Sequence, residues 1–209
     1  YTYEALASDL GRVIDLEVPD GPLVLGGHSM GCHTVLTWAL ANPGRVAALI
    51  LAGPVFTGEE DEADLSRWDE RADALERGGP AEFARVSLEN IKGDEKTIAT
   101  VERIARARTE LHEHPDAVAY ALRQLPRSRP FESIAQLASL DMPALVVASH
   151  DEIDPGHPYA VAEAYAGTLP NGELVSEEKG DSPLSWQGGR LSRVIVDFLH
   201  RNGIEGAAG

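Results

Sequence analysis

Apolar and polar positions alternate between two rhythms along the chain. From Tyr1 to Asp15, Leu6, Leu10, Val13 and Ile14 recur at helical spacing with Glu4, Asp9 and Arg12 between them, which predicts an amphipathic helix. Asp20-Gly21-Pro22 is turn chemistry, and the run Leu23-Val24-Leu25 after it is too short for a helix and reads as a buried strand. Met30 to Leu40 is an apolar helix ended by Asn42-Pro43-Gly44, and Val46 to Leu51 is a second buried strand closed by Gly53-Pro54. Strand signals return at Ala144 to Ala148 and at Glu173 to Ser176. A helix is predicted between them over Pro158 to Leu169, and an amphipathic one at Leu191 to Leu199.

The stretch from Thr57 to about Leu140 is different. It is rich in Glu, Asp, Arg and Ala and has no strand-like run. Leu65, Trp68, Ala72 and Leu75 keep helical spacing, as do Phe83, Val86, Ile91 and later Ile98, Val101 and Ile104, with Pro115 and Pro126 as breaks. This reads as an inserted helical cap. The expected organisation is a first core part over residues 1–56, the cap over 57–140 and a second core part over 141–209. Strands alternating with helices indicate an α/β class with a parallel sheet covered on both faces, and such sheets place their sites at the carboxyl ends of the strands.

The chain has 209 residues, enough for one sizeable core, with 43% hydrophobic and 25% charged residues. The net charge of −16 repels phosphate backbones and anionic lipid, which argues against nucleic-acid and membrane-surface roles. A single cysteine, Cys32, excludes an intrachain disulfide and a cysteine-based metal cluster. No signal peptide and no apolar run of about 18 residues is visible, so a cytoplasmic setting is expected. Neither a metal nor a cofactor is called for.

The chemistry concentrates at Gly27-His28-Ser29-Met30-Gly31, a Gly-x-Ser-x-Gly pentapeptide between a strand and a helix. The tight turn forces a strained backbone on Ser29, lifts its hydroxyl above the sheet and aims the Met30 N–H at a developing oxyanion; Gly27 and Gly31 are expected to leave room for close helix–strand packing. His28 and His33 flank the serine but read as structural, and Cys32 as packing. After the strand at Ala144 to Ala148 comes Ser149-His150-Asp151-Glu152-Ile153-Asp154-Pro155. A carboxylate there can orient an imidazole, with Asp151 the first candidate and Asp154 the second.

These motifs resemble the α/β-hydrolase superfamily: the elbow with its apolar helix, VAALILAGP, the D-x-I-x-P run from Asp151 to Pro155, and Leu169-Pro170-Asn171-Gly172 before a short strand. The resemblance implies Ser29 as nucleophile and Asp151 as acid. It also implies two departures. Members begin with further strands, one loop of which gives the second oxyanion N–H, so Tyr1 to Asp15 is similar to the helix that follows them. Additional chain N-terminal to Tyr1, or another polypeptide such as a homodimer partner, is expected to cover the edge at Leu23 to Leu25. The superfamily's histidine follows the last strand, and here Asp181 stands in its place.

An aspartate is a poor base for an alcohol, and a serine needs a base. His157, in Asp154-Pro155-Gly156-His157-Pro158, is a candidate substitute, better placed than His150. The expected function is hydrolysis of a small ester, thioester or related acyl substrate through Ser29. The alternative is a non-hydrolytic or ligand-binding member of the fold in which Ser29 is a relic or a ligand contact.

Overall fold

The computed structural model describes residues 1–59, 62–89, 95–150 and 154–204. They fall into two compact units. One comprises Tyr3–Gly58 with Pro130–Gly209, the other Tyr1–Thr2 with Glu59–Arg129.

The first unit is built on a four-stranded parallel sheet. Its strands β1 (Leu23–His28), β2 (Val46–Ala52), β3 (Ala144–Val147) and β4 (Gly172–Val175) lie side by side in sequence order. Its helices are α1 (Tyr3–Glu17), α2 (Met30–Ala41), α6 (Tyr159–Thr168) and α7 (Gly188–Arg201), numbered in chain order with the three of the second unit. Alternate residues of each strand feed two cores. Leu49, Leu51, Ala144 and Val146 pack with Leu36 and Val35 of α2, Ile14 of α1 and Tyr165 of α6. Ala48, Ile50, Leu145 and Val147 face the other way, onto Phe198 of α7 and Leu184. Burial on both faces explains why β2 and β3 read as unbroken apolar runs.

β1 is different. It pairs with β2 alone among the described residues, and Val24, Gly26 and His28 are exposed on the α7 side of the sheet. The strand also runs three residues beyond Leu25, through Gly26-Gly27-His28. Ladder hydrogen bonds use only the backbone, so two glycines do not end it.

The second unit is helical: α3 (Glu62–Leu88), α4 (Glu95–Glu110) and α5 (Pro115–Gln124). Gly79, at φ 65°, followed by Pro80, kinks α3. Ala72 and Leu75 of α3 pack on Ala119 of α5, with Phe83, Val118 and Leu122 around them. Pro115, which reads from sequence as a break, opens α5 at its first turn, where a missing N–H costs nothing. The helical unit ends at Arg129, earlier than residue 140. The segment after it belongs with the sheet, because Phe131, Leu137 and Leu140 are buried in the larger core.

Candidate active site

Strand register aligns the carboxyl ends of the sheet. His28 is level with Ala52, Ala52 with Val147, and Val147 with Val175. The ladder continues one step further: Ser29 N–H donates to Ala52 O at 2.8 Å, Gly53 N–H to Val147 O at 2.9 Å and Ala148 N–H to Val175 O at 2.8 Å. Ser29, Gly53, Ala148 and Ser176 therefore form one rim, and every loop that leaves it can contribute to a site.

Ser29 has φ 53°, and among the described residues no other non-glycine residue has positive φ. The strain is held from several sides. Cys32 N–H donates to Ser29 O at 2.9 Å, and the Cys32 thiol donates to Gly27 O and to Ala52 O, each at 3.2 Å. Burial pushes the thiol up to about 12, so Cys32 is a neutral clasp between elbow and β2 and not a nucleophile. Gly27 is obligatory: a Cβ there would lie 2.2 Å from Gly31 C and 2.5 Å from Cys32 N. Gly31 differs from the sequence expectation, since a Cβ on it would meet nothing within 4 Å. The close approach is made by Gly27 alone. Met30 opens α2, so its N–H has no intrahelical acceptor. The Ser29 hydroxyl makes no hydrogen bond among the described residues.

The histidines divide clearly. His33 is 1% exposed. Its Nε2 accepts from Val55 N–H at 3.2 Å and Phe56 N–H at 3.1 Å, so the ring proton sits on Nδ1, facing Tyr3 Oη at 3.1 Å. Burial, with a smaller contribution from His157, lowers its pKa to about 4. A neutral imidazole locked on both nitrogens holds α1, α2 and the loop after β2 together. His150 stacks on Tyr159, with ring centroids 5.5 Å apart and planes 7° apart.

His157 is the histidine that pairs with a carboxylate. Its Nδ1 is 2.8 Å from Asp154 Oδ1, and Asp154 is 8% exposed. A carboxylate only accepts, so Nδ1 carries a proton, and Nε2 has no partner among the described residues. The ring lies against the rim: its centroid is 5.2 Å from that of His28, and a Cβ on Gly53 would stand 3.0 Å from its Cδ2. Gly53, at φ 60°, thus admits the ring as well as the turn.

Asp151, the first sequence candidate for the acid, lies outside the described residues. The half-exposed carboxylate of Asp181 meets Arg190 Nη1 at 3.2 Å. A buried carboxylate that sequence reasoning did not single out lies four residues earlier. Glu177, 3% exposed, accepts from His150 N–H at 2.7 Å and from Leu184 N–H at 2.8 Å. It ties the loop after β3 to the loop after β4. Nothing in the run Ser176-Glu177-Glu178-Lys179 marks which of its charges turns inward. Among the described residues no cluster of His, Cys, Asp and Glu could hold a metal ion, and no helix is long and apolar enough to cross a membrane.

Residues 2–92 match the model of the serine aminopeptidase S33 family, a stretch that includes the elbow. No curated protein matches the chain. Among solved structures, a thermophilic esterase from Thermogutta terrifontis is 25% identical with a TM-score of 0.75; the match covers 97% of this chain and 73% of that one. A carboxylesterase structure from Nitrososphaera gargenis is 18% identical with a TM-score of 0.70, covering 97% and 73%. The enol-lactonase from Burkholderia xenovorans is 18% identical with a TM-score of 0.70, covering 96% and 74%. Strand order, elbow and these likenesses agree: the chain has the α/β-hydrolase fold.

Proposed function

We propose that the chain hydrolyses small esters, thioesters or related acyl substrates through Ser29, with His157 as base. The observation that carries the reading is Ser29 itself, a serine held at positive φ between a parallel strand and a helix N-terminus. Strain of this kind costs on the order of 1–3 kcal/mol and persists where the surroundings over-determine it, as at active sites. Similarity to esterases and a lactonase supports the reaction class.

In this reading the Ser29 Oγ attacks the acyl carbonyl while its proton passes to His157 Nε2. Met30 N–H holds the oxyanion, and Asp154 keeps the ring in the required tautomer and stabilises the imidazolium. Collapse expels the alcohol or thiol, which takes the proton from Nε2. Water then attacks the acyl-serine by the same route in reverse. Asp181 takes no part, its carboxylate being engaged by Arg190. This assigns the acid to Asp154 in preference to Asp151.

The presence of Asp181 where the superfamily has histidine favours a second reading, a ligand-binding member without turnover. A fluorophosphonate probe separates the two. Labelling that disappears in Ser29→Ala supports hydrolysis. Absence of labelling in the wild type supports binding alone.

A further inference from the structure

A cavity of about 370 Å³ opens in the helical unit between α3, α4 and α5. Its size falls within the range of small-molecule sites, about 300–1,000 Å³. Trp68, Phe83, Ala105 and Val118 supply apolar wall, and Arg71, Ser87, Arg108 and His112 supply donors and positive charge. In a chain of net charge −16 this is an unusual collection.

The arginines of this unit show what is unusual about it. Arg67, Arg85, Arg106, Arg123 and Arg127 each hold a carboxylate. Arg71, Arg77, Arg103 and Arg108 form no ion pair among the described residues, and of these Arg71 and Arg108 line the cavity. Arg71 is partly buried, with its guanidinium 4.6 Å above the centre of the Trp68 ring. Asp64, whose charge acts on Arg71, accepts its hydrogen bonds from Arg67 Nη2 at 3.0 Å and Trp68 Nε1 at 3.2 Å. Desolvation lowers the Arg71 pKa, outweighing the opposite pull of the Asp64 charge. The second observation is independent. The Ser87 hydroxyl is buried and has no hydrogen-bond partner among the described residues, and an unmet buried hydroxyl costs free energy.

We propose that this cavity binds a small organic carboxylate with an apolar body. The carboxylate accepts from the Arg71 guanidinium and the Ser87 hydroxyl, Arg108 adds positive charge and His112 a ring N–H at the rim, and the apolar body lies against Trp68 and Phe83. The single partly buried arginine suits a monoanion, and the apolar wall favours an organic acid over an inorganic ion. The site belongs to the helical unit and does not depend on the reading of Ser29.

Calorimetric titration of the full chain at constant ionic strength tests this with three probes: benzoate, its neutral isostere benzamide, and inorganic phosphate. Benzoate is expected to saturate with a dissociation constant on the order of millimolar, as suits so few atoms. Benzamide and phosphate are expected to bind about tenfold more weakly or worse. Arg71→Gln should weaken benzoate by about tenfold or more, the loss of one charge-assisted hydrogen bond. Ser87→Leu, which fills the cavity, should abolish binding, and it decides the matter if Arg71→Gln does not fold. Equal binding of benzoate and benzamide, equal binding of phosphate, an unchanged affinity in a folded Arg71→Gln or Ser87→Leu variant, or no saturation would each overturn the proposal. The readout is binding and not turnover, so the outcome is separate from that of the fluorophosphonate experiment.

Discussion

Lowering the pH from 7 to 5 should destabilise the sheet unit through His33 in a way that one substitution removes. In the folded chain burial holds the His33 pKa near 4, against an ordinary 6.5. Below pH 6.5 the unfolded chain takes up a proton that the folded chain refuses. The stabilisation is therefore complete above pH 6.5 and falls as pH drops towards 4, where it is exhausted. At about 1.36 kcal/mol per pH unit the full interval corresponds to about 3 kcal/mol, and the part between pH 7 and 5 to about 2 kcal/mol. His33→Gln removes the titration but keeps a carbonyl able to accept from Val55 and Phe56 N–H. Urea unfolding followed by tryptophan fluorescence at the two pH values measures the difference. The wild type should lose about 2 kcal/mol more than His33→Gln between pH 7 and 5. Equal losses would refute the description of His33 as a buried neutral clasp.

Three further outcomes follow from the site. Gly27→Ala, whose methyl would stand 2.2 Å from Gly31 C, should cost about 3 kcal/mol in urea unfolding, while Gly31→Ala should be nearly neutral. Glu177→Ala leaves His150 and Leu184 N–H without an acceptor and should cost about 3 kcal/mol, with the loops after β3 and β4 losing protection in hydrogen exchange. Asp181→Ala breaks only an exposed ion pair with Arg190, so its stability should change by less than about 1 kcal/mol and its esterase rate by less than about twofold.

The parts of the fold written in side-chain rhythm were legible from the sequence, and those written in backbone or in three dimensions were not. β2 and β3 announce themselves because both their faces are buried. α7 does so because Val194, Ile195 and Phe198 form one stripe. The end of β1 is hidden, since Gly26-Gly27 reads as a turn while its amides stay in the ladder. The elbow was legible because its chemistry demands glycine two residues from the serine, yet the sequence could not tell that only Gly27 is crowded. Asp154 and His157 lie three residues apart in a Pro-Gly turn, a spacing that signals a turn and not a partnership. Only the fold shows that turn holding the ring against Gly53 and His28. Glu177 and His33 are equally invisible, because their roles consist of backbone amides contributed by distant segments.

The most direct test of the central claim is the hydrolysis of p-nitrophenyl acetate by the wild type, Ser29→Ala and His157→Ala, measured side by side near neutral pH. The wild type is expected to turn the ester over and each variant to lose about a thousandfold or more, since members of a catalytic unit fail together. Wild-type activity that survives Ser29→Ala, or that is untouched by His157→Ala, would contradict that claim.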